Sequence, residues 1–477
     1  MTVDVKASFL PGYVVHKEPA LLFSATDSKA RHTHPLMGLV RYGPYSASQL
    51  AAVSDPVRIA VIAPQGMLHD VERLIDEFQC THHPRERLDY LIEYPGFQTI
   101  YRVRIVPSVP GAMIQLPAEL GSSIAASDRP HHVLAEAVTK ALFILKNLRH
   151  EFDIVLILIP ARWKEAWEEK ETEDFDLHDY IKATSASLHI PVQIINDDSA
   201  LQYPCRCSVM WRLSIAIYCK AGGIPWTWAD CELDTAYIGV SYALLDNPTA
   251  VGRYAICCSQ VFSADGAGLE FVAYEADDVR VYGRNPFLSR TQMLSVMSRS
   301  LRIYQHQRDG KNPKKVVVHK NTEFRKDEIY GCLDAFAALQ DVELVHVQQN
   351  TSWRAVRVLK DKNVDMFPCH RGTSQQLGEH AALLWTHGNS TELTASRRNY
   401  YKGGKGIPKP LLLVRHAGHG SIDDLCRSAL ALSKMNWNND GPYDRLPVTI
   451  SYAHTLASIV KRMQKLEARP YPFRFFM

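Results

Sequence analysis

The chain has 477 residues, of which 46% are hydrophobic and 22% are charged, and its formal net charge is +3. This length suits two or three domains with cores of their own, and the composition excludes a disordered or fibrous protein. The nearly neutral charge excludes a uniformly basic surface, so any nucleic-acid partner needs a local basic groove.

The sequence lacks the pattern of a membrane segment or an export signal. Its longest apolar run, residues 154–160, is far shorter than the ~20 residues that cross a bilayer. The N-terminus does not have the charged and apolar regions of a signal peptide. The ten cysteines are scattered and lack the spacing of a zinc site or a disulfide framework. We therefore expect a cytoplasmic protein with reduced thiols and no membrane partner.

Residues 1–54 are mixed and turn-rich, and strands begin to alternate with helices at residue 57. The predicted strands are 57–62, 100–106, 153–160 and 191–195, and the predicted helices are 70–78, 133–148, 176–187 and 211–220. Continuous apolar strands that alternate with helices indicate an α/β domain with a mostly parallel, Rossmann-like sheet.

A different order of elements begins after Trp226. Three antiparallel strands are predicted at 237–243, 254–261 and 269–274, with a hairpin at 265–268. They are followed by a helix at 287–307, a strand at 315–319, a helix at 326–339 and a strand at 342–347. Three antiparallel strands and then a strand–helix–strand unit form the order of a ribonuclease H-like domain, so we place a domain boundary near residue 228.

Two lysines, a histidine and a glutamine have a spacing that predicts a phosphate site. His178 and Lys182 are four residues apart and share one face of the predicted helix. Gln193 lies on the next strand, and Lys220 ends a helix just before a Gly-Gly pair. Two ammonium groups, an imidazole and an amide at one end of an α/β layer suit a terminal phosphate. Any one of these residues alone is explained as well by a surface or core position.

This combination resembles the pocket for the guide 5′-phosphate in the MID domain of Argonaute and PIWI proteins. The resemblance implies a lead-in segment at 1–54 that packs on the C-terminal domain, a MID domain at 55–228 and a PIWI domain at 229–477. The apolar tail at 472–477 is expected to be docked, because a frayed tail is normally polar. The resemblance also implies that the C-terminal carboxylate of Met477 holds Mg²⁺ against the guide phosphate.

The second domain resembles a PIWI domain that has lost its nuclease site. A ribonuclease H-like nuclease gathers two divalent cations with mostly acidic ligands. Ser241 and Asn321 stand where the family has its first two aspartates, and neither supplies the anionic ligand that magnesium requires. His454 matches the last ligand of the family and remains. We expect no catalytic residue and no target cleavage in this chain, with enzymatic activity in a partner subunit.

Argonautes of this length without the acidic residues resemble the short prokaryotic Argonautes. The resemblance implies a guide RNA, complementary single-stranded DNA of invading plasmids or phage as target, and an effector subunit with an APAZ segment. The effector is expected to deplete NAD in abortive-infection immunity, with a sirtuin-type domain favoured over a TIR domain or a nuclease. The implied assembly is a heterodimer that oligomerises on activation.

Basic residues near predicted strand ends are candidates for contacts to the nucleic-acid backbone, although a solvated surface charge is the better explanation of each residue taken alone. They are Arg206, Arg212, Lys320, Arg325, Lys402, Lys405, Lys409, Arg415 and Arg445. Two other functions stay open. One is an unconventional metal site made by Asp265, Glu270, Asp277 and Asp278. The other is a structural subunit that binds no guide.

Overall fold

A computed structural model describes residues 10, 12–49, 52–167, 175–232, 234–245, 254–263, 270–276, 279–283, 285–394, 396, 398–403, 406–463 and 470–477. For residues 244–245 and 254–263 it describes the backbone. The hairpin predicted at 265–268, the proposed backbone contact Lys405 and the acids Asp265, Asp277 and Asp278 lie outside the described residues.

The elements up to residue 228 make one α/β unit and a short segment before it. The strands are β1 (Val14–Val15), β2 (Leu21–Leu22), β3 (Arg31–His32), β4 (Val57–Pro64), β5 (Ile105–Pro107), β6 (Met113–Leu116), β7 (Ile154–Leu158), β8 (Val192–Ile195) and β9 (Thr227–Trp228). The helices are α1 (Pro35–Tyr42), α2 (Leu68–Glu77), α3 (Phe97–Tyr101), α4 (Leu120–Ala125), α5 (Pro130–Lys146), α6 (Leu177–Ser187) and α7 (Arg206–Lys220).

The elements after residue 228 make a second α/β unit. Its strands are β10 (Thr235–Leu245), β11 (Tyr254–Ser263), β12 (Glu270–Ala276), β13 (Val279–Tyr282), β14 (Asn285–Leu288), β15 (Lys315–Lys320), β16 (Asp341–Gln348), β17 (Val356–Val358), β18 (Val364–Pro368), β19 (Thr373–Gln376), β20 (Ala381–Trp385), β21 (Leu411–Ala417) and β22 (Tyr471–Pro472). Its helices are α8 (Arg290–Gln307), α9 (Lys326–Ala335), α10 (Ile422–Leu432) and α11 (Val448–Val460).

The first unit is built on a parallel sheet with the strand order β5-β4-β7-β8, in which β6 also pairs with β4. Strand β7 is apolar throughout and buried on both faces. One face of the sheet packs against α5, and the other packs against α2 and α7. Helices on both faces exclude water from a parallel sheet, which is why its strands are continuous apolar runs. The predicted α/β domain with a parallel sheet is confirmed.

The second unit is built on a ten-stranded sheet with the order β1-β19-β20-β21-β16-β15-β10-β11-β12-β22. Strands β10, β11 and β12 are antiparallel neighbours, and β10, β15 and β16 run parallel. The predicted antiparallel meander and the strand–helix–strand unit after it are therefore confirmed. Helix α11 crosses this sheet at Gly239, where a Cβ atom would lie 1.9 Å from the main-chain oxygen of Thr449. A side chain at residue 239 would push the helix off the sheet.

The segment before the first unit is joined to both units by strand pairing. Strand β1 pairs with β19 at one edge of the ten-stranded sheet, and β2 lies between β3 and β9. At the other edge of the large sheet, β22 pairs with β12. Backbone hydrogen bonds of the N-terminal segment and of the C-terminal tail thus close the two ends of one sheet.

Three predicted elements differ from the structure. The strand predicted at 100–106 is wrong, because Phe97, Ile100 and Tyr101 bury one face of helix α3 and the strand begins at Ile105. The helix predicted at 287–307 begins at Arg290, after β14 and the capping residue Ser289. The helix predicted at 326–339 ends at Ala335. In the first case the helical spacing of the buried side chains outweighs the β propensity of the segment.

The described residues contain neither a membrane-spanning helix nor a disulfide. Among the helices placed there, none is both long and apolar enough to cross a membrane. The cysteines whose side chains are described form no disulfide.

Candidate functional site

Lys182 and Lys220, which the sequence separates by 38 positions, lie together inside the protein. Their relative exposures are 2% and 0%. Lys182 projects from α6, and its Nζ donates to the main-chain oxygen of Val192, 2.7 Å away, and to the main-chain oxygen of Met477. Lys220, at the end of α7, donates to Oε1 of Gln193 over 2.7 Å. The predicted residues Lys182, Gln193, Lys220 and Met477 are therefore brought to one place.

The local sequence explains why these side chains meet. Asp176 accepts a hydrogen bond from the main-chain N–H of Asp179 and so fixes the start of α6, which sets Lys182 on the inner face of the helix. Helix α7 ends at Lys220, and Gly222 follows with a φ of +106°, a conformation that favours glycine. Strand β8 runs beside both helices and supplies Gln193 and the oxygen of Val192.

Burial and neighbouring charge disfavour the charged form of Lys182, and burial disfavours the charged form of Lys220. Burial lowers the pKa of Lys182 well below its usual value, and the neighbouring Lys220 lowers this pKa further, against a smaller opposite effect of Asp179. Burial lowers the pKa of Lys220 to about 7. Among the described residues, no aspartate or glutamate forms an ion pair with either lysine. An anion that enters between them would add negative charge next to both lysines, beside the oxygen that Met477 already offers to Lys182.

The tail that carries Met477 is buried, as the sequence predicted. Phe473 stacks on Tyr452 of α11 with ring centroids 4.0 Å apart. Phe476 makes an edge-to-face contact with Phe271 of β12 at 4.4 Å. Aromatic burial of this kind holds the main chain in place, so the main-chain oxygen of Met477 is a fixed part of the lysine site.

The structure does not bring His178 to the two lysines. Its imidazole is exposed, and Nδ1 lies 3.2 Å from Oδ1 of Asp179. Ligand atoms of Asp176, His178 and Asp179 all lie within 4.8 Å of one another. The nearest charges to His178 are thus carboxylates, which repel a phosphate. Asp179 was missed in the sequence, although its position next to His178 could have indicated this pair.

Ser241 and Asn321 lie next to each other in the second unit. Strands β10 and β15 are parallel neighbours, and Val240 lies opposite Lys320. Ser241 and Asn321 are the next residues on the two neighbouring chains, so they lie close to each other. Ser241 is buried, whereas His454 lies on an exposed face of α11. His319 faces the same helix and its Nδ1 lies 2.8 Å from Oγ1 of Thr449. Ser241 carries no charge and burial lowers the pKa of His319 to about 4, whereas a magnesium ion prefers anionic oxygen ligands.

The basic residues proposed to contact the nucleic-acid backbone are of three kinds: buried, exposed and half-buried. Lys320 and Arg415 are buried, and each forms an ion pair with a buried glutamate, Glu328 at 2.6 Å and Glu343 at 2.7 Å. Both are strand residues close to a strand end, and a glutamate inside the protein neutralises the charge of each. The exposed candidates are Arg325 and Lys409.

The remaining candidates are half-buried and already hydrogen-bonded within the protein. Arg206 pairs with Glu77, and Arg212 donates to the main-chain oxygen of Ser199 over 3.1 Å. Lys402 donates to the main-chain oxygen of Tyr443 over 2.6 Å, and Arg445 donates to that of Gln349. Glu270 of the alternative metal site accepts a hydrogen bond from Gln307. These hydrogen bonds fix the position of each cation, and a contact to nucleic acid would use its other N–H donors.

The two units together have the Argonaute fold, which is the class of protein to which the chain is similar. The structure is similar to Clostridium butyricum Argonaute bound to a guide DNA and a 19-mer target DNA, with a TM-score of 0.64 and 18% identity over 98% of this chain and 55% of that chain. It is also similar to Aa-Ago with externally bound siRNA, with a TM-score of 0.63, 14% identity, and coverage of 98% and 56%.

A further structure, A. aeolicus Argonaute, gives a TM-score of 0.60 and 14% identity, with 98% of this chain and 56% of that chain covered. The chain therefore spans a little more than half the length of the Argonautes that it matches. No family model matches the sequence, and no curated protein matches it. The similarity is one of fold.

Proposed function

We propose that this chain binds the 5′-phosphate of a guide RNA between Lys182 and Lys220 and presents the guide to complementary single-stranded DNA. The observation that supports the proposal is the buried lysine pair, which has no carboxylate side chain as ion-pair partner in the described part of an Argonaute-like fold. Charge-assisted hydrogen bonds to phosphate oxygens would offset the cost of burying both ammonium groups. Sequence is then read by base pairing, while the protein contacts backbone shape.

The residues of the pocket have separate tasks in this proposal. The two ammonium groups donate to the phosphate oxygens, and Gln193 orients Lys220 through its Oε1 atom. The main-chain oxygen of Met477 holds Lys182 in place. Mg²⁺ at the phosphate stays a prediction. The group proposed to hold it is the C-terminal carboxylate of Met477, one oxygen of which accepts a hydrogen bond from Lys182.

The chain is further proposed to be a sensor that does not cut its target. The proposal rests on Ser241 and Asn321, which offer a hydroxyl and an amide where two metal ions require carboxylates. An APAZ-containing effector, of the sirtuin type rather than TIR or nuclease, is proposed to deplete NAD in the cytoplasm when target DNA pairs with the guide. End-labelled complementary DNA incubated with guide-loaded protein and Mg²⁺ or Mn²⁺ should stay intact, and a guide-directed cut would contradict the proposal.

The guide site is tested by nucleic acid that co-purifies with the chain. We expect short 5′-phosphorylated RNA in the native chain and its loss in a Lys182→Met, Lys220→Met double variant, since methionine keeps the volume and removes the charge. In binding assays with synthetic 5′-phosphorylated RNA, the double variant should lose about 100-fold in affinity, as expected for two charge-assisted hydrogen bonds.

Two comparisons make this test specific. Lys140→Met removes an exposed lysine on α5 that pairs with Glu136, and it should leave guide affinity unchanged. A guide with a 5′-hydroxyl should bind the native chain and the double variant equally. If the co-purifying RNA survives loss of both lysines, or if none is present, the chain is a structural subunit and the guide pocket is wrong.

A further inference from the structure

A basic cleft of about 680 Å³ lies between the C-terminal tail and the chain around the end of helix α5. Its cationic and imidazole side chains are Lys146, Arg149, His150, His189 and Arg474. No aspartate or glutamate is among the described residues that line it, and neither is any residue of the lysine site. The cleft is therefore a separate place on the protein, and its volume suits a small organic ligand.

Arg474 projects from the tail into this cleft and has no hydrogen-bond partner among the described residues. The side chain is half-buried, and its Nε atom is shielded from solvent without an acceptor. The guanidinium carbon lies 5.3 Å from the centre of the Phe475 ring. A guanidinium has five N–H donors, and leaving them unused where water is partly excluded costs free energy. An anion in the cleft would supply the acceptors.

Arg149 is a second guanidinium of the cleft, and the main chain holds it in position. Its Nε donates to the main-chain oxygen of His189 over 3.0 Å, and its Nη1 donates to that of Phe152 over 2.6 Å. The N–H groups of Nη2 have no partner among the described residues. Burial lowers the pKa of Arg149, and the positive charge of Arg474 lowers it further. Two guanidinium groups that repel each other favour an anion beside them.

The carboxylates that come closest to this cleft in the sequence are already paired elsewhere. Asp153 accepts a hydrogen bond from the main-chain N–H of Arg58 over 2.8 Å and lies 3.5 Å from Nε of the same residue. Glu151 lies 3.1 Å from Nε2 of the exposed His150. Asp153 raises the pKa of Arg474 by less than burial lowers it. Positive charge therefore stays in excess in the cleft.

The rings beside these cations indicate a ligand larger than a simple anion. The half-buried imidazole of His189 meets the ring of Phe475 edge to face, with ring centroids 5.8 Å apart, and Pro472 also lines the cleft. Planar guanidinium groups bind phosphate oxygens in pairs, and nucleic-acid bases stack on rings of this kind. A charged end and a ring-lined end together suit a nucleotide.

We propose that this cleft binds the phosphate of a nucleotide, either a free nucleotide or one within a nucleic-acid strand. Arg149 and Arg474 donate to the phosphate oxygens, Lys146 adds positive charge at the exposed rim, and His189 contacts the base. The inference goes beyond the proposed function, because it requires neither a guide phosphate at the lysine site nor a partner protein.

The test is titration calorimetry on the full chain with Lys182→Met and Lys220→Met, so that the lysine site does not contribute. The probes are adenosine 5′-monophosphate and a short single-stranded RNA with a 5′-hydroxyl, and adenosine is the probe without phosphate. At least one phosphate-bearing probe should bind, and adenosine should not. Adding Arg474→Met should weaken binding about tenfold or more, as for a lost charge-assisted hydrogen bond. Arg104→Met removes an exposed guanidinium that pairs with Asp55 and, as the matched control, should leave affinity unchanged.

Two further measurements separate binding from folding. Arg474→Met removes a half-buried charge and keeps most of the side-chain volume, so the urea midpoint should stay or rise. Lys146→Met, at an exposed position, leaves the tail untouched and should weaken binding about threefold. If Arg474→Met lowers the midpoint instead, the Lys146→Met result decides alone, and unchanged affinity then overturns the proposal.

The two phosphate-bearing probes also distinguish the source of the phosphate. Tighter binding of adenosine 5′-monophosphate assigns the cleft to a free nucleotide, and tighter binding of the RNA assigns it to the backbone of a strand. The proposal is overturned if neither probe binds, if adenosine binds as tightly as its monophosphate, or if a correctly folded Arg474→Met variant binds like Arg104→Met. Guide binding is measured separately on the chain with both lysines, so failure of the lysine site is not confused with failure of the cleft.

Discussion

Burying two ammonium groups side by side opposes folding, because each loses its hydration and each repels the other. The effective cost of burying an unpaired charge is several kcal/mol. Lys182 and Lys220 nevertheless lie fully inside the protein and share their hydrogen bonds with Gln193, Val192 and Met477. A position that costs stability in the free chain and is relieved by an anion is typical of a binding site.

The pKa of Lys220 predicts how guide binding depends on pH. Because that pKa is about 7 in the free chain and a bound phosphate favours the charged form, binding above pH 7 must take up a proton. Affinity for a 5′-phosphorylated RNA should therefore fall by up to about tenfold per pH unit above pH 7. Calorimetry in two buffers of different ionisation enthalpy measures the proton uptake directly.

A guide with a 5′-hydroxyl is the control for this pH dependence and should show none of it. The folding stability of the free chain depends on pH in the opposite direction to guide affinity. Since the folded pKa of Lys220 is below its unfolded value, this group lowers stability most at pH 7 and below, and the loss disappears as pH rises toward the usual lysine range. Guide affinity that is constant from pH 7 to 9 would contradict the role of Lys220.

At the scale of elements, the contact between α11 and β10 depends on Gly239. A Cβ atom there would meet backbone atoms of Thr449, which cannot move without moving the helix. Gly239→Ala should lower the free energy of unfolding by about 1–3 kcal/mol, the usual cost of overpacking. Gly378→Ala, where a Cβ meets no atom within 4 Å, is the control and should change the urea midpoint little. Equal midpoints for both variants would show that α11 does not press on the sheet.

The sequence predicts elements well where one physical signal is strong. The apolar runs of β4 and β7 and the period of α5 identify the first unit, because burial on both faces leaves no other interpretation. The strands β17 to β20 were not predicted, since each is only three to five residues long and too short for a clear hydrophobic period. The lysine pair was predicted by its spacing. The buried ion pairs of Lys320 with Glu328 and of Arg415 with Glu343 were not predicted, because the tertiary fold brings the two residues of each pair together.

At the scale of the whole molecule, a buried ion cluster fastens the N-terminal segment to the second unit. Glu18 lies 2.9 Å from Nε of Arg371 and 3.0 Å from Nζ of Lys434. Lys434 also donates to the main-chain oxygens of Pro19 and Thr33. Burial opposes ionisation of Glu18, but Arg371 and Lys434 outweigh burial and lower its pKa.

Glu18→Gln should therefore destabilise the protein strongly, because it leaves two buried cations without their shared anion. We expect a loss of about 3–5 kcal/mol in urea denaturation. Asp230→Asn removes the acid of the exposed pair with Arg31 and should cost less than about 1 kcal/mol. A similar, small effect of both substitutions would mean that the cluster does not hold the segment.

The two-residue strands β1 and β22 have a consequence for how the protein behaves in concentrated solution. Each lies along an outer strand of the ten-stranded sheet, β19 at one end and β12 at the other. Strands this short leave few main-chain groups on which a neighbouring molecule could add, so they protect the sheet from edge-to-edge aggregation. A truncation that removes residues 14–15 should uncover the main chain of Thr373 and Ser374 and so favour self-association through this edge.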